Sequence, residues 1–479
     1  MTESLTLHPD RFFDAEPAVR GIARQLYDEV HDLPLVCPHG HVDPRSLAEN
    51  APFPEPAALL ITPDHYVVRM LYSQGVPMES LGVGRAQSGE RAPDPRAIWR
   101  DFAARFHLFA GTPTGAWLTH TLHDVFGVRC RPSRESADLV YDQVAERLGS
   151  PEYRPRALFE RFRIDVLATT DAATDTLEHH AAIRDSGWHG RVSPTFRPDA
   201  LFRITHPDWP GHIARLERAC STPPIRSARA LVDALATRRS FFRTFGATAT
   251  DHGVQEPVTL RISEERAERL FATALAGGAT RADEREFVAH LLMEMARLST
   301  DDGMVMQLHA GALRDYNGPV ARRFGPDVGG DIPVATEFTQ NLRPLLETYG
   351  NDARLRLILF TLDESTYSRE LAPIAGHFPA VRLGPPWWFH DSVQGMTRFR
   401  QQTTETAGLW NTAGFNDDTR AFCSIPARHD LARRVDASWL AGMVARHQLD
   451  IDEARRLAVA LAGDLARETY RLAPAPEFN

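Results

Sequence analysis

At 479 residues the chain is too long for one small fold; it fits roughly three ordinary domains, or one barrel of about 250 residues carrying a large insertion. A net charge of -9 argues against a broad polyanion-binding surface, so no nucleic-acid partner is expected, and a hydrophobic content of 43% supplies a substantial core. All 54 basic side chains are arginine, which excludes a Schiff-base lysine, lysine-bound pyridoxal phosphate and a complete Walker-type phosphate loop.

The N-terminal residues 1–20 are polar and acidic, without the basic start and apolar core of a signal peptide. A recurring unit follows: a short apolar, β-prone run that ends in polar or ionisable residues, then a helical stretch. The runs are 33–41, 164–171, 191–199, 247–253, 304–311, 355–363, 380–391 and 411–422. Between them lie amphipathic segments such as 283–298 and 394–408. Eight alternating units predict a parallel α/β architecture, and a closed barrel is its natural solution. The gap from 41 to 164 far exceeds one crossover. Residues 57–150, mostly helical in pattern with Pro and Gly punctuation near 82–95, therefore read as a helical insertion over one end of the barrel. The expected division is 1–56 with the first strand, 57–150 as the insertion, and 151–479 as the rest of the barrel plus C-terminal helices. Residues 428–472 read as amphipathic helix before a short Pro-containing tail. The four cysteines, Cys37, Cys130, Cys220 and Cys423, are scattered and make no CxxC pair. With no apolar stretch long enough to span a bilayer, they point to reduced thiols in a cytoplasmic protein with no membrane partner.

In such barrels the catalytic groups sit at the C-terminal ends of the strands. Here those ends are crowded with His, Asp and Arg. His39 and His41 are the sharpest signal: residues i and i+2 of a strand share a face, so both imidazoles can meet one metal at the mouth. Such ligands suit zinc first, with manganese or another divalent ion as alternatives. The third ligand is expected from Asp418 at the end of the eighth run, ahead of His309 on the fifth, with Asp417 as the adjacent competitor. Arg197 and Arg420 are placed to bind a carboxylate in bidentate fashion, unless they serve only as partners of nearby Asp residues. Spacing alone assigns Tyr66 to the core, and Trp387-Trp388 to packing at the seventh strand with a possible role as a wall against substrate.

These motifs, in order, resemble the uronate isomerases, a branch of the amidohydrolase superfamily. The matching stretches are Pro38-His-Gly-His-Val-Asp-Pro44, Asp64-His-Tyr-Val-Val-Arg69, Thr169-Thr-Asp171 with Glu178-His-His180, and Pro194-Thr-Phe-Arg-Pro-Asp199. Further along come Asp251-His-Gly253, Met306-Gln-Leu-His-Ala-Gly-Ala-Leu-Arg314 with Gly325-Pro-Asp327, Trp387-Trp-Phe389 with Gly395-Met396, and Asp418-Thr-Arg420 with Arg428-His429. The resemblance implies a distorted (β/α)8 TIM-like barrel that converts glucuronate to fructuronate, or galacturonate to tagaturonate. It implies metal binding by His39, His41 and Asp418, and a substrate site lined by His65, Tyr66, Arg197, His309 and Arg420. Two stretches depart from the family pattern, Arg314-Asp-Tyr-Asn317 and Thr361-Leu-Asp-Glu364, and both bear on substrate preference.

Such a reaction moves a proton between C2 and C1 through an enediol, with the metal stabilising the developing oxyanion. Asp418, with Tyr66 or His309 as partner and His65 nearby, is the candidate proton mover; Arg197 or Arg420, with Trp387, holds the sugar acid. A homo-oligomer is compatible with a barrel of this size. The rival readings are a metal-dependent hydrolase on the same scaffold and a non-catalytic sugar-acid binding protein. Against the first, two-metal hydrolases usually need a bridging carboxylated lysine or acid, and lysine is missing; against the second, the acid-base residues are present.

Overall fold

The computed structural model describes residues 3–84 and 93–473. Its strands are β1 (Leu35–Cys37), β2 (Ile164–Ala168), β3 (Asp171–Ala172), β4 (Arg191–Ser193), β5 (Phe196–Arg197), β6 (Ala249–Val254), β7 (Val305–Ala310), β8 (Ala312–Leu313), β9 (Ile332–Pro333), β10 (Leu357–Thr361) and β11 (Val381–Leu383). The pairing β1-β2-β4 forms one parallel ladder, and β11-β10-β7-β6-β5-β3 forms another. Backbone bonds join the two: Thr169 N–H to Ser193 O (2.9 Å) and Asp171 N–H to Thr195 O (3.0 Å). β2 with β3, and β4 with β5, are thus two barrel strands, each interrupted midway.

All eight runs fall on this ring, but the eighth is not a strand. It contributes a parallel bridge from Leu383 to Thr412 and a bond from His41 N–H to Thr419 O at 3.0 Å, which carries the ring back to the first segment. The result is a distorted (β/α)8 barrel. Central strands β2, β7 and β10 are buried at every position, as parallel strands covered on both faces must be.

Helix Arg281–Asp302 shows how sequence sets the outer layer. Thr280 and Asp283 form a capping box at its start, and Gly303 at φ +79° ends it. Phe287, Leu291, Leu292 and Met295 bury its inner face in the main core cluster. The segment 394–408 is found as helix Val393–Ala407. The C-terminal stretch divides into Ile425–Ala445, Ile451–Val459 and Leu465–Thr469, with a π-helical turn at Ala460–Asp464. The Pro-containing tail lies mostly outside the described residues, as does part of the punctuation near 82–95.

Between β1 and β2 the chain is helical. Proline opens the helices Pro44–Glu49, Pro56–Leu60, Pro95–Ala103, Pro113–His120 and Pro155–Arg161, where its fixed φ and missing N–H carry no penalty. Trp99, Phe102, Phe106 and Phe109 form an aromatic core in this layer that is continuous with Leu167 and Phe422 of the barrel. No described helix is long and apolar enough to cross a membrane, and all four cysteines are free.

Candidate active site and metal centre

The nine residues singled out from sequence, His39, His41, His65, Tyr66, Arg197, His309, Trp387, Asp418 and Arg420, line one cavity of about 400 Å³. Their origins are scattered. β1 stops at Cys37, so His39 and His41 belong to the turn beyond it rather than to a strand face, contrary to the alternation argument. The turn still brings their rings to 5.3 Å. His65 and Tyr66 begin helix His65–Ser73, whose first N–H groups are capped by the Asp64 carboxylate; that cap aims the pair at the barrel mouth.

Asp418 Oδ1 lies 3.1 Å from His41 Nε2 and 3.5 Å from His39 Nε2. The Asp418 backbone sits at φ +39°, an uncommon conformation for a side-chain-bearing residue. Asp417 points the other way and is fully buried against His429, with Oδ2 3.3 Å from His429 Nε2. Of the two adjacent carboxylates, the one expected from sequence faces the histidines.

His309 joins this group from the end of β7. Its Nδ1 is bonded to Asp251 Oδ1 at 2.7 Å, which fixes the ring, and its face stacks on His39 at 5.0 Å. Ligand atoms of His39, His309 and Asp418 all lie within 4.8 Å of one another. His309 Nε2 and Asp418 Oδ1 are buried without a hydrogen-bond partner among the described residues. Unpartnered buried nitrogen and carboxylate atoms that converge are what a divalent cation satisfies, and imidazole with carboxylate is a donor set that such ions accept. The residues present therefore fit a metal.

Electrostatics agree. Burial opposes charge on Asp418, yet the His39 and His41 rings outweigh it and hold the carboxyl well below its usual range. Burial would lower His39, but Asp418 raises it, so the site attracts positive charge between these groups. Burial lowers His309 despite Asp251, and drives His65 down to about 3, so both are neutral imidazoles near pH 7. Desolvation pushes the Tyr66 phenol far up, so it keeps its proton.

The arginines differ. Arg197 Nε is 2.8 Å from Asp199 and 3.4 Å from Asp251, and the Asp199 charge raises its pKa further. It is both a structural partner and a cavity wall. Arg420 is more available: its side chain is 37% exposed, and its nearest carboxylate is Asp327 at 3.5 Å. Trp387 packs edge-on against His309 at 4.7 Å, and Trp388 lies 4.7 Å beneath the Arg314 guanidinium.

Sequence reasoning missed several wall residues. Asp251, which links His309 to Arg197, stood in a recognised strand end but without a role. Arg314 and Asp327 reach the cavity from the segment around β8 and β9, where two-residue strands leave no periodic signal. Arg428 also lines the cavity; it bonds the buried Asp391 at 2.7 Å, whose carboxyl burial pushes up to about 7.

Comparison with known proteins gives a consistent picture. The family model described as glucuronate isomerase matches residues 15–466. A uronate isomerase of Rhizorhabdus wittichii is 55% identical over 98% of this chain and 99% of its own length. The crystal structure of a glucuronate isomerase from Caulobacter crescentus superposes with a TM-score of 0.96 at 48% identity, covering 99% of both chains. A uronate isomerase structure from Thermotoga maritima gives 0.90 at 29% identity, covering 97% of this chain and 99% of the other.

Proposed function

The chain belongs to the uronate isomerase family, and from that premise we propose that its barrel-mouth cavity interconverts an aldohexuronate, D-glucuronate or D-galacturonate, with the ketose D-fructuronate or D-tagaturonate. The observation that carries the reading is the convergence of His39, His41 and Asp418 in one cavity with Arg197 and Arg420. Those three residues are the proposed ligands of a divalent metal, with zinc the first choice and manganese an alternative. When bound, the metal supplies Lewis-acid stabilisation of the oxygen charge that grows as the enediol forms.

The protein's own groups do the rest. Arg420, assisted by Arg197, binds the substrate carboxylate and so fixes which carbons face the acid-base residues. Trp387 forms a flat wall beside them. In the aldose-to-ketose direction, the C2 hydrogen is removed as a proton and delivered to C1, and the O2 proton ends on O1. The electrons stay within the substrate, so no redox partner is required. Asp418 is the proposed carrier of the carbon-bound proton. Tyr66, which keeps its phenolic proton, and the neutral His309 and His65 are the proposed exchangers at oxygen; such groups typically contribute about 10²–10⁴-fold in rate.

The same proposal treats 57–150 as a helical layer whose task is to deliver His65 and Tyr66, while 1–56 supplies the first strand and 151–479 completes the barrel. It places the enzyme in the cytoplasm; association into a homo-oligomer is part of the reading, to be measured by light scattering.

The test is proton NMR of purified protein with glucuronate and galacturonate side by side, with and without chelator. Ketose is expected from at least one of them, lost with chelator, and in D₂O with deuterium incorporated at C1. Metal-loaded protein that converts neither would sink the assignment.

A further inference from the structure

Asp417 and Asp418 are adjacent and point to opposite sides, and Asp418 has φ +39°, so a rotation of one peptide would swing its carboxylate away from the histidines. Three contacts around Asp417 oppose that rotation. His429, in the first turns of helix Ile425–Ala445, places Nε2 3.3 Å from Asp417 Oδ2. Arg428, the preceding residue, donates from Nη1 to the Asp417 carbonyl at 3.2 Å and to Asp391 Oδ2 at 2.7 Å. A Cβ built on Gly40, between His39 and His41, would touch Asp417 Oδ1 at 3.5 Å, so this carboxylate also lies against the turn that carries both histidines. The His429 ring is itself fixed edge-on by Phe415 at 5.0 Å.

We propose that His429 is a positioning residue: through Asp417 it locks the last barrel segment and the His39-Gly40-His41 turn in the conformation that lets His39, His41 and Asp418 share one cation. The inference rests on the metal-binding reading above. It is outer-shell support of the kind that metal sites use, carried here through the neighbouring residue rather than by a bond to the ligand itself.

Cys37 Sγ lies 3.6 Å from His429 Nε2, and ligand atoms of Cys37, Asp417 and His429 all fall within 4.8 Å of one another, a spacing that a buried cation could also occupy. The experiment measures zinc affinity by competition with a chromophoric chelator for the wild type, His429→Leu, His429→Gln and Asp418→Asn. It also records the Co(II) spectrum and metal stoichiometry of the wild type.

The expected results are zinc affinity about 10–100-fold weaker in His429→Leu with folded circular dichroism, and recovery to within about threefold in His429→Gln, whose amide nitrogen replaces Nε2. The wild type should take up one equivalent of Co(II) without a sulfur-to-metal charge-transfer band. Wild-type affinity in folded His429→Leu overturns the proposal. So does a second equivalent with a sulfur band, a result that stands even if the leucine variant fails to fold. If Asp418→Asn keeps wild-type affinity, the metal-binding reading has failed first; if it loses zinc while His429→Leu does not, only the positioning role has failed.

Discussion

Tyr66 and Arg420 are the side chains through which the proposed chemistry is most cleanly separated from the fold. Tyr66 lines the cavity, and its phenol is driven toward the protonated form first by desolvation, against the nearby Arg428 charge. Removing one oxygen in Tyr66→Phe leaves the ring contacts with His65 and Trp117 in place. The expected result is a fall in kcat of about 10²–10⁴-fold with little change in KM or melting temperature. A variant with unchanged kcat would return Tyr66 to the packing role that spacing alone gave it. Arg420 predicts the opposite split. Its guanidinium is half-exposed, with Asp327 at 3.5 Å, so it is available to a substrate carboxylate. Arg420→Gln should raise KM by roughly 10–100-fold, as expected for loss of a charge-assisted bond worth about 1.5–3 kcal/mol, and leave thermal stability unchanged. An Arg420→Gln enzyme with wild-type KM would assign the anchor to Arg197 or Arg314.

At the scale of elements, the interrupted second strand offers a titration test outside the metal site. Beyond β2, Thr169 Oγ bonds Asp171 Oδ2 at 2.7 Å and approaches His180 Nε2 at 2.9 Å, all three buried. Burial pushes Asp171 up to about 7, against the Thr169 bond that lowers it, and drives His180 down to about 4. The raised Asp171 binds its proton more tightly folded than unfolded. Its contribution is therefore fully present below its unfolded value near 4 and is lost as pH rises through about 7. His180 acts in reverse: its contribution is present above about 6.5 and is lost as pH falls through about 4. The two offset each other across the acidic range. Asp171→Asn removes only the first, so its melting temperature should improve relative to wild type, by a few degrees, between pH 5 and pH 8. A difference that stays flat with pH would place the Asp171 carboxyl in its ordinary range. Element by element, the eight runs were legible because buried parallel strands are continuous apolar stretches ended by polar residues. What was not legible has local causes. β8 and β9 are too short for any period to register, so Arg314 and Asp327 went unassigned. The eighth run reads as a strand by composition, but Gly414 at φ +75° and Asp418 at φ +39° take its backbone out of extended conformation. The nine residues that line the cavity stood out in the sequence because His, Asp, Arg and aromatic side chains concentrate at strand ends and because the ordered motifs resembled a family. Asp417 and Asp418 are chemically identical neighbours; the family motif favoured Asp418, and the fold turns Asp417 toward His429 instead.

Across the whole molecule, the proposed metal centre joins segments that are remote in sequence: the turn after β1, the end of β7, and the last barrel segment. His39 and Asp418 are 3.5 Å apart in space, and the ring closes beside them through the backbone bond from His41 N–H to Thr419 O. Closure there has little ladder support, since among the described residues no strand pairing spans the gap between β11 and β1 beyond the Leu383–Thr412 bridge. Asp418 Oδ1 lies 3.1 Å from His41 Nε2 and 3.5 Å from His39 Nε2, and among the described residues His309 Nε2 has no hydrogen-bond partner. A ligand that binds only the folded state stabilises it by RT ln(1 + [L]/Kd), about 2.7 kcal/mol at a hundredfold excess over Kd. The apoprotein should therefore melt several degrees lower than the zinc-loaded protein, and added zinc should restore both melting temperature and isomerase activity. Because few ladder bonds join the first and last barrel segments, limited proteolysis near residues 408–424 should be faster in the apoprotein than in the zinc-loaded protein. An Asp418→Asn protein should show neither the thermal response nor the protection. If chelation removed activity but left both the melting temperature and the cleavage pattern unchanged, the cation would be catalytic only, and closure of the ring would rest on the packing of helix Ile425–Ala445 against Pro17–Val30.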